Sequence, residues 1–152
     1  MTYKKILIPT DGSPLANVAA RAGVDMAKQL GAEVVGVYVS PDFRFLIYGD
    51  QFPMSSVTED EYKVLEKKAG EDYLSEIQTA AQAAGVKFTP YMAHGNSASD
   101  EIIAAAEKHD CQMIFIGSHG RGGLRQLLLG SVASKILSTC DKPVLVYRVK
   151  QE

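Results

Sequence analysis

The sequence predicts a doubly wound α/β fold, a sheet of parallel strands with helices on both faces. Three observations carry this. Short runs rich in valine and isoleucine alternate with longer stretches of helical periodicity. The order reads β-α-β-loop-α-β-α-β-loop-α-β, and strands separated by helices pair in parallel through right-handed crossovers. The second such run, Ala32 to Val39, is rich in valine and reads as a strand covered on both faces.

Each element has its own signals. Tyr3 to Pro9 (YKKILIP) reads as the first strand. Ser13 and Pro14 look like the N-cap and first-turn proline of a helix. Leu15, Val18, Ala19, Ala22, Met26 and Leu30 keep its spacing, and Gly31 stands where it should end. Ala32 to Val39 (AEVVGVYV) is the second strand. Ser40 to Val57 carries Pro41, Gly49 and Pro53 and is long for a loop in a compact domain. Thr58 and Glu61 form a capping box that opens a long helix. Its expected inner face is Tyr62, Leu65, Ala69, Tyr73, Ile77, Ala80 and Ala84, with Gly85 closing it. Val86 to Met92 is the third strand, and Ser97 with Asp100 opens a helix to about Lys108. Cys111 to Ile116 is the fourth strand. A glycine-rich loop, Gly117 to Gly130, leads to a short helix at Ser131 to Ser138 and a fifth strand at Pro143 to Val149.

Size and composition bound the function. With 152 residues the chain is expected to form one domain over 1–152. A chain of this size buries roughly 68–70% of its unfolded surface, so no disulfide or metal staple is required. Hydrophobic residues at 46% and charged residues at 22% exclude a largely disordered chain. The net charge of -2, with both signs interspersed, argues against nucleic acid as a partner. No apolar run approaches the ~20 residues of a membrane span, and Met1 to Lys5 lead straight into a strand without a signal-peptide core. A cytoplasmic location is therefore expected. Cys111 and Cys140 have no metal-like spacing and read as reduced thiols.

In open parallel sheets, ligands bind beyond the carboxyl ends of the strands. The segments to read are therefore Thr10 to Ser13, Ser40-Pro41, His94 to Ser97 and Gly117 to Ser131. The last is the richest. Gly117, Gly120, Gly122 and Gly123 let backbone amides turn toward an anion, and Gly130-Ser131 opens a helix whose first amides lack partners. That combination is a polyphosphate cradle; the bland alternative is a connection without a ligand. It is not a Walker A loop, because Gly123 stands where lysine is required. Nor is it a dinucleotide fingerprint, because Arg125 stands where the third glycine belongs.

Gly117-x2-Gly120-x9-Gly130-Ser131 resembles the ATP-binding motif of the universal stress proteins. Ile8 to Ser13, Gly36 to Val39 and Lys142 to Val146 are similar to that family too, so the resemblance spans essentially the whole chain. It implies a Rossmann-like sheet, of the adenine nucleotide alpha hydrolase-like kind, with strand order 3-2-1-4-5. It implies that Asp11, with the backbone around Pro9 and Thr10, contacts adenosine and that Val39 lies against adenine. Ile116 and Gly117 would flank the adenosine; Gly120, Gly130, Ser131 and Val132 would hold the phosphates. The implied ligand is ATP with Mg²⁺. The family also dimerises through its last strand, here Val144 to Val149.

Several of these residues admit a second reading. Asp11 can accept from ribose hydroxyls or close an Asx-turn before Ser13, and the two are compatible. His119 can touch a phosphate, act as acid or base, or simply be solvated. Arg121 and Arg125 suit charge near a γ-phosphate. Ser131 can bind phosphate or Mg²⁺, or cap its helix. His94 can face the crevice, whereas His109 reads as surface. The aromatic stretch Phe43 to Phe52 is either a loop folded on its own core or a lid or protein-partner surface.

The function expected is a small regulatory, stress-response module whose state depends on bound Mg-ATP, with at most slow hydrolysis. A slow ATPase or phosphotransferase is the competing enzyme reading. A non-nucleotide-binding interaction module of the same fold is the other. A phosphoaccepting receiver domain is excluded by Met92-Ala93-His94 and Tyr147-Arg148-Val149, where that class needs an aspartate and a lysine.

Overall fold

The computed structural model describes residues 2–43, 57–119 and 129–149. Its elements are β1 (Lys5–Pro9), α1 (Pro14–Leu30), β2 (Glu33–Ser40), α2 (Glu59–Ala84), β3 (Phe88–His94), α3 (Ala98–Lys108), β4 (Met113–Gly117), α4 (Ser131–Thr139) and β5 (Val144–Tyr147). All strand pairs are parallel and the order is β3-β2-β1-β4-β5. The expected fold class and strand order are therefore the observed ones. The order reverses between β1 and β4, which is where such a sheet opens a crevice.

Local chemistry fixes the helix ends. The Ser13 hydroxyl accepts from the Ala16 amide at 3.1 Å and starts α1. Thr58 and Glu61 exchange both bonds of a capping box at the start of α2. Ser97 accepts from the Asp100 amide and caps α3. Gly31 and Gly85 end α1 and α2 in the left-handed conformation, at φ 65° and 71°. α4 differs: its N-cap is Gly130, and no side chain caps its first turn.

The core lies in two layers, one on each face of the sheet. Ile6 and Ile8 pack with Val24, Val34, Ile77 and Phe115 under α1 and α2. Leu7 packs with Val37, Ile102, Ile114 and Ile136 under α3 and α4. Consecutive residues Ile6, Leu7 and Ile8 are all at most 1% exposed, which is why the run shows no polar alternation. Each such side chain contributes about 1.5–3 kcal/mol by leaving water.

Two expectations shift. The inner face of α2 is Tyr62, Gly70, Leu74, Ile77 and Ala81, and Leu65 points to solvent at 59% exposure. Gly70 belongs to this face: a Cβ there would meet the end of the Met92 side chain first and then the Tyr38 ring at 2.9 Å. The helix lies against β2 where it lacks a side chain, and Leu65 is turned outward. The fifth strand ends at Tyr147, so Arg148 and Val149 fall beyond it.

At the far edge, β3 is mostly exposed or half-buried and carries Pro90, which removes one amide donor. Cys111 is buried and its thiol is pushed up to about 11 by loss of solvent. Cys140 is half-buried, and neither cysteine forms a disulfide.

Candidate functional site

The site is built at the carboxyl ends of β1 and β4. The Thr10 amide donates to the Val37 carbonyl at 2.9 Å and carries the β1–β2 ladder one residue past the strand. The chain then turns sharply. The Gly12 amide donates to Thr10 Oγ1 at 3.1 Å, and the Ser13 amide donates to Asp11 Oδ1 at 2.9 Å. Asp11 thus closes an Asx-turn that delivers Ser13 to its capping position. Gly12 has φ 79°, a conformation that favours glycine.

On the β4 side, the Ser118 amide donates to the Tyr147 carbonyl at 2.9 Å, and Ser118 is 3% exposed. Ser118 Oγ lies 3.2 Å from His119 Nδ1. The Gly130 amide donates to the Ser118 carbonyl at 2.6 Å. Gly130 has an ordinary φ of -68°, so its need for glycine is one of space. A Cβ there would stand 3.1 Å from the Ser118 oxygen and 3.4 Å from His119 Cα. A Cβ on Gly117 would meet Ala19 Cβ at 3.1 Å.

This changes the account of the cradle in one respect. The Gly130 amide is committed to Ser118. The amides at the start of α4, from Ser131 and Val132 onward, are the ones with no side-chain cap. They carry the positive end of the helix dipole.

Val39, Ile116 and Val132 all belong to the apolar layer under α3 and α4. Pro9 follows Leu7 by two residues along β1, so it falls on the same face. An apolar wall therefore adjoins the Asp11 turn and the start of α4. Gly120, Arg121 and Arg125 lie outside the described residues, as does the aromatic stretch beyond Phe43. Phe43 itself packs on Tyr62, with ring centres 5.4 Å apart.

His94 is exposed at the end of β3 and borders a cavity of about 840 Å³ shared with Tyr62, Glu66 and Met92. That cavity lies on the α2 side of β2, not at the β1–β4 switch. His109, expected at the surface, is half-buried. Its ring sits edge-on to Tyr91 at 4.7 Å, and its buried Nε2 has no hydrogen-bond partner among the described residues. Burial first, then the charges of Lys108 and Lys5, hold its pKa below the usual histidine value.

Sequence reasoning missed a polar cluster behind the site. Glu66 Oε2 accepts from the Tyr38 hydroxyl at 2.7 Å and from Ser40 Oγ at 2.9 Å. Tyr62 donates to the Pro41 carbonyl at 2.7 Å. Burial and the Glu66 carboxylate push the Tyr38 hydroxyl well above the usual phenol value, and Tyr62 moves the same way. No motif spacing links Glu66 to β2; a polar residue on the inward side of a helix was the available signal.

Among the described residues, no group of three histidine, cysteine or carboxylate side chains stands ready to hold a metal. No described helix is long and apolar enough to cross a membrane.

A doubly wound sheet with an Asx-turn following β1 and a side-chain-uncapped helix start tied to the end of β4 defines a class: open α/β domains, in which ligands bind where the strand order reverses. The model of the universal stress protein family matches residues 2–148, and the chain belongs to that family. It is 36% identical to a universal stress protein of Methanocaldococcus jannaschii, MJ0531, over 96% of this chain and 82% of that one. It is 32% identical to YxiE of Bacillus subtilis, over 96% and 99%. The solved structure of MJ0577 superposes with a TM-score of 0.82 at 29% identity, covering all of both chains. The fold is also that of a universal stress protein in complex with cAMP (TM-score 0.71, 19% identity, 99% and 100% covered). It is shared by one from Archaeoglobus fulgidus in complex with dAMP (0.64, 24%, 96% and 98%).

Proposed function

We propose that the protein is a regulatory module that binds ATP, carried with Mg²⁺, at the β1–β4 switch point, and that its state depends on the nucleotide. The observation that carries this reading is the start of α4. Its first amides have no side-chain cap, and Gly130 seats them against Ser118 within the Gly117-x2-Gly120-x9-Gly130-Ser131 pattern. Backbone amides and a serine hydroxyl are the donors that a polyphosphate needs. Two solved chains of this fold, with cAMP and with dAMP, are precedents for adenine nucleotides.

In this reading Val39 and Ile116 receive the base, while Asp11 and the backbone of Pro9 and Thr10 receive the ribose. Gly117 flanks the adenosine beside Ile116; Gly120, Ser131 and Val132 hold phosphates, and Gly130 shapes the seat. His119 and Arg121 add polar and positive groups beside them. Mg²⁺ fits as an ion riding on phosphate oxygens, with the Ser131 hydroxyl as the protein's contribution. It supplies charge neutralisation for the phosphates. The proposal extends to pairing of two chains through the exposed edge of β5, where Tyr147 is 36% exposed.

The test is to denature freshly purified protein and identify what it releases by chromatography and mass. Near-stoichiometric ATP supports the reading, and ADP or AMP moves it toward the hydrolase. A chain that releases nothing and fails to bind added Mg-ATP overturns it in favour of the interaction module. Light scattering at twice the monomer mass supports pairing through β5.

A further inference from the structure

We infer that Tyr73, on α2, is a positioning residue of this site: its ring is the platform on which the Asp11–Gly12 turn rests. The inference builds on the nucleotide reading and adds a residue that lies in none of the motif segments.

The contact is unusually close. A Cβ placed on Gly12 would fall against the Tyr73 ring, with Cγ at 2.7 Å and two further ring carbons nearer still. Only the hydrogens of a glycine separate turn from ring. Gly12 therefore answers two demands at once, the positive φ of 79° and the absence of a side chain over an aromatic face.

The platform is itself held. The Tyr38 ring meets Tyr73 edge-on, 5.3 Å between centres and 76° between planes. Tyr38 is fixed in turn by its bond to Glu66, which also holds Ser40. Glu66 and Tyr73 lie on the same helix and face the same end of β2. The Asx-turn is thus bonded from within by Thr10 and Asp11 and backed from outside by a braced ring. The Asp11 carboxylate is held by its bond from the Ser13 amide, and the ring backs the turn that carries it. A preorganised turn binds more tightly because it loses less freedom when ligand arrives.

The contact is made by ring carbons, so phenylalanine should serve and leucine should not. The experiment compares wild type with Tyr73→Phe, Tyr73→Leu and Ile77→Val, the last a mild core change on the same helix. Amide exchange at Gly12 and Ser13 is followed by NMR without nucleotide, and Mg-ATP affinity by calorimetry on nucleotide-stripped protein. In Tyr73→Leu both amides should exchange on the order of tenfold faster, and affinity should fall about tenfold. Tyr73→Phe should keep both values. Ile77→Val should lower the melting temperature and keep both.

Wild-type exchange in Tyr73→Leu overturns the platform. Faster exchange with unchanged affinity overturns the positioning role. So does Tyr73→Phe failing as badly as leucine. Wild-type protein that binds no Mg-ATP overturns the nucleotide reading, and the exchange data then judge the platform separately.

Discussion

The Gly130 amide donates to the Ser118 carbonyl at 2.6 Å, so the two ends of the glycine-rich segment are pinned to each other. The start of α4 is thereby fixed to the end of β4 whatever the intervening chain does. Gly130→Val places a branched side chain where a single carbon already stands 3.1 Å from the Ser118 oxygen. The expected result is loss of Mg-ATP binding, with a stability cost of about 1–3 kcal/mol. Calorimetric titration and a urea melt check the two parts; undiminished affinity would remove α4 from the site.

Gly12→Ala should be costlier than its size suggests. The new methyl group would meet both a left-handed φ and the Tyr73 ring. Strain of this kind costs of order 1–3 kcal/mol, with overpacking added to it. Urea denaturation should show a larger loss than for Gly85→Ala, where φ is 71° but nothing lies within 4 Å. Equal losses would mean that the ring yields freely.

Glu66→Ala should destabilise by about 1–3 kcal/mol, because it strands two hydroxyls. Ser40 is only 2% exposed, so water does not readily replace the lost acceptor. Glu66→Gln keeps an acceptor oxygen and should cost less. A denaturation series that ranks Gln with Ala would refute the hydrogen-bond account.

His109 should make stability depend on pH. Its folded pKa lies below the unfolded value of 6.5, owing to burial and then Lys108 and Lys5. Below 6.5 the unfolded chain takes up a proton that the folded chain resists. Stability is therefore full above that value, falls as the pH drops toward the folded pKa, and then levels. His109→Leu should flatten this segment of the curve. A wild-type curve rising toward acid through this window would reverse the sign argued here.

Much of this was legible because it is local. Ser13, Thr58 and Ser97 cap helices through neighbours three residues on, and Asp11 closes its turn through a neighbour two residues on. The strand order came with the family resemblance, and Val39, Ile116 and Val132 do share one face. What sequence did not reveal is long-range. Leu65 fits a helical repeat as well as any core residue, yet it is Gly70, Leu74 and Ile77 that α2 turns toward the sheet. Tyr73 reaches Gly12 and Glu66 reaches Tyr38 only because α2 lies on β2. His109 lies in a loop-like stretch, and only the fold brings Tyr91 against it.

The two margins of the sheet are unlike. β5 borders β4 on one side, and among the described residues no strand pairs with its other. β3 is the opposite margin, and Pro90 leaves a gap in its row of donors. Among the described residues, the margin without a missing amide donor is that of β5. A sheet with one receptive margin and one blunted margin can be joined once and no further. If two chains pair edge to edge through β5 as proposed, the association would be self-terminating: a closed pair, with the blunted β3 margin giving a filament no place to grow.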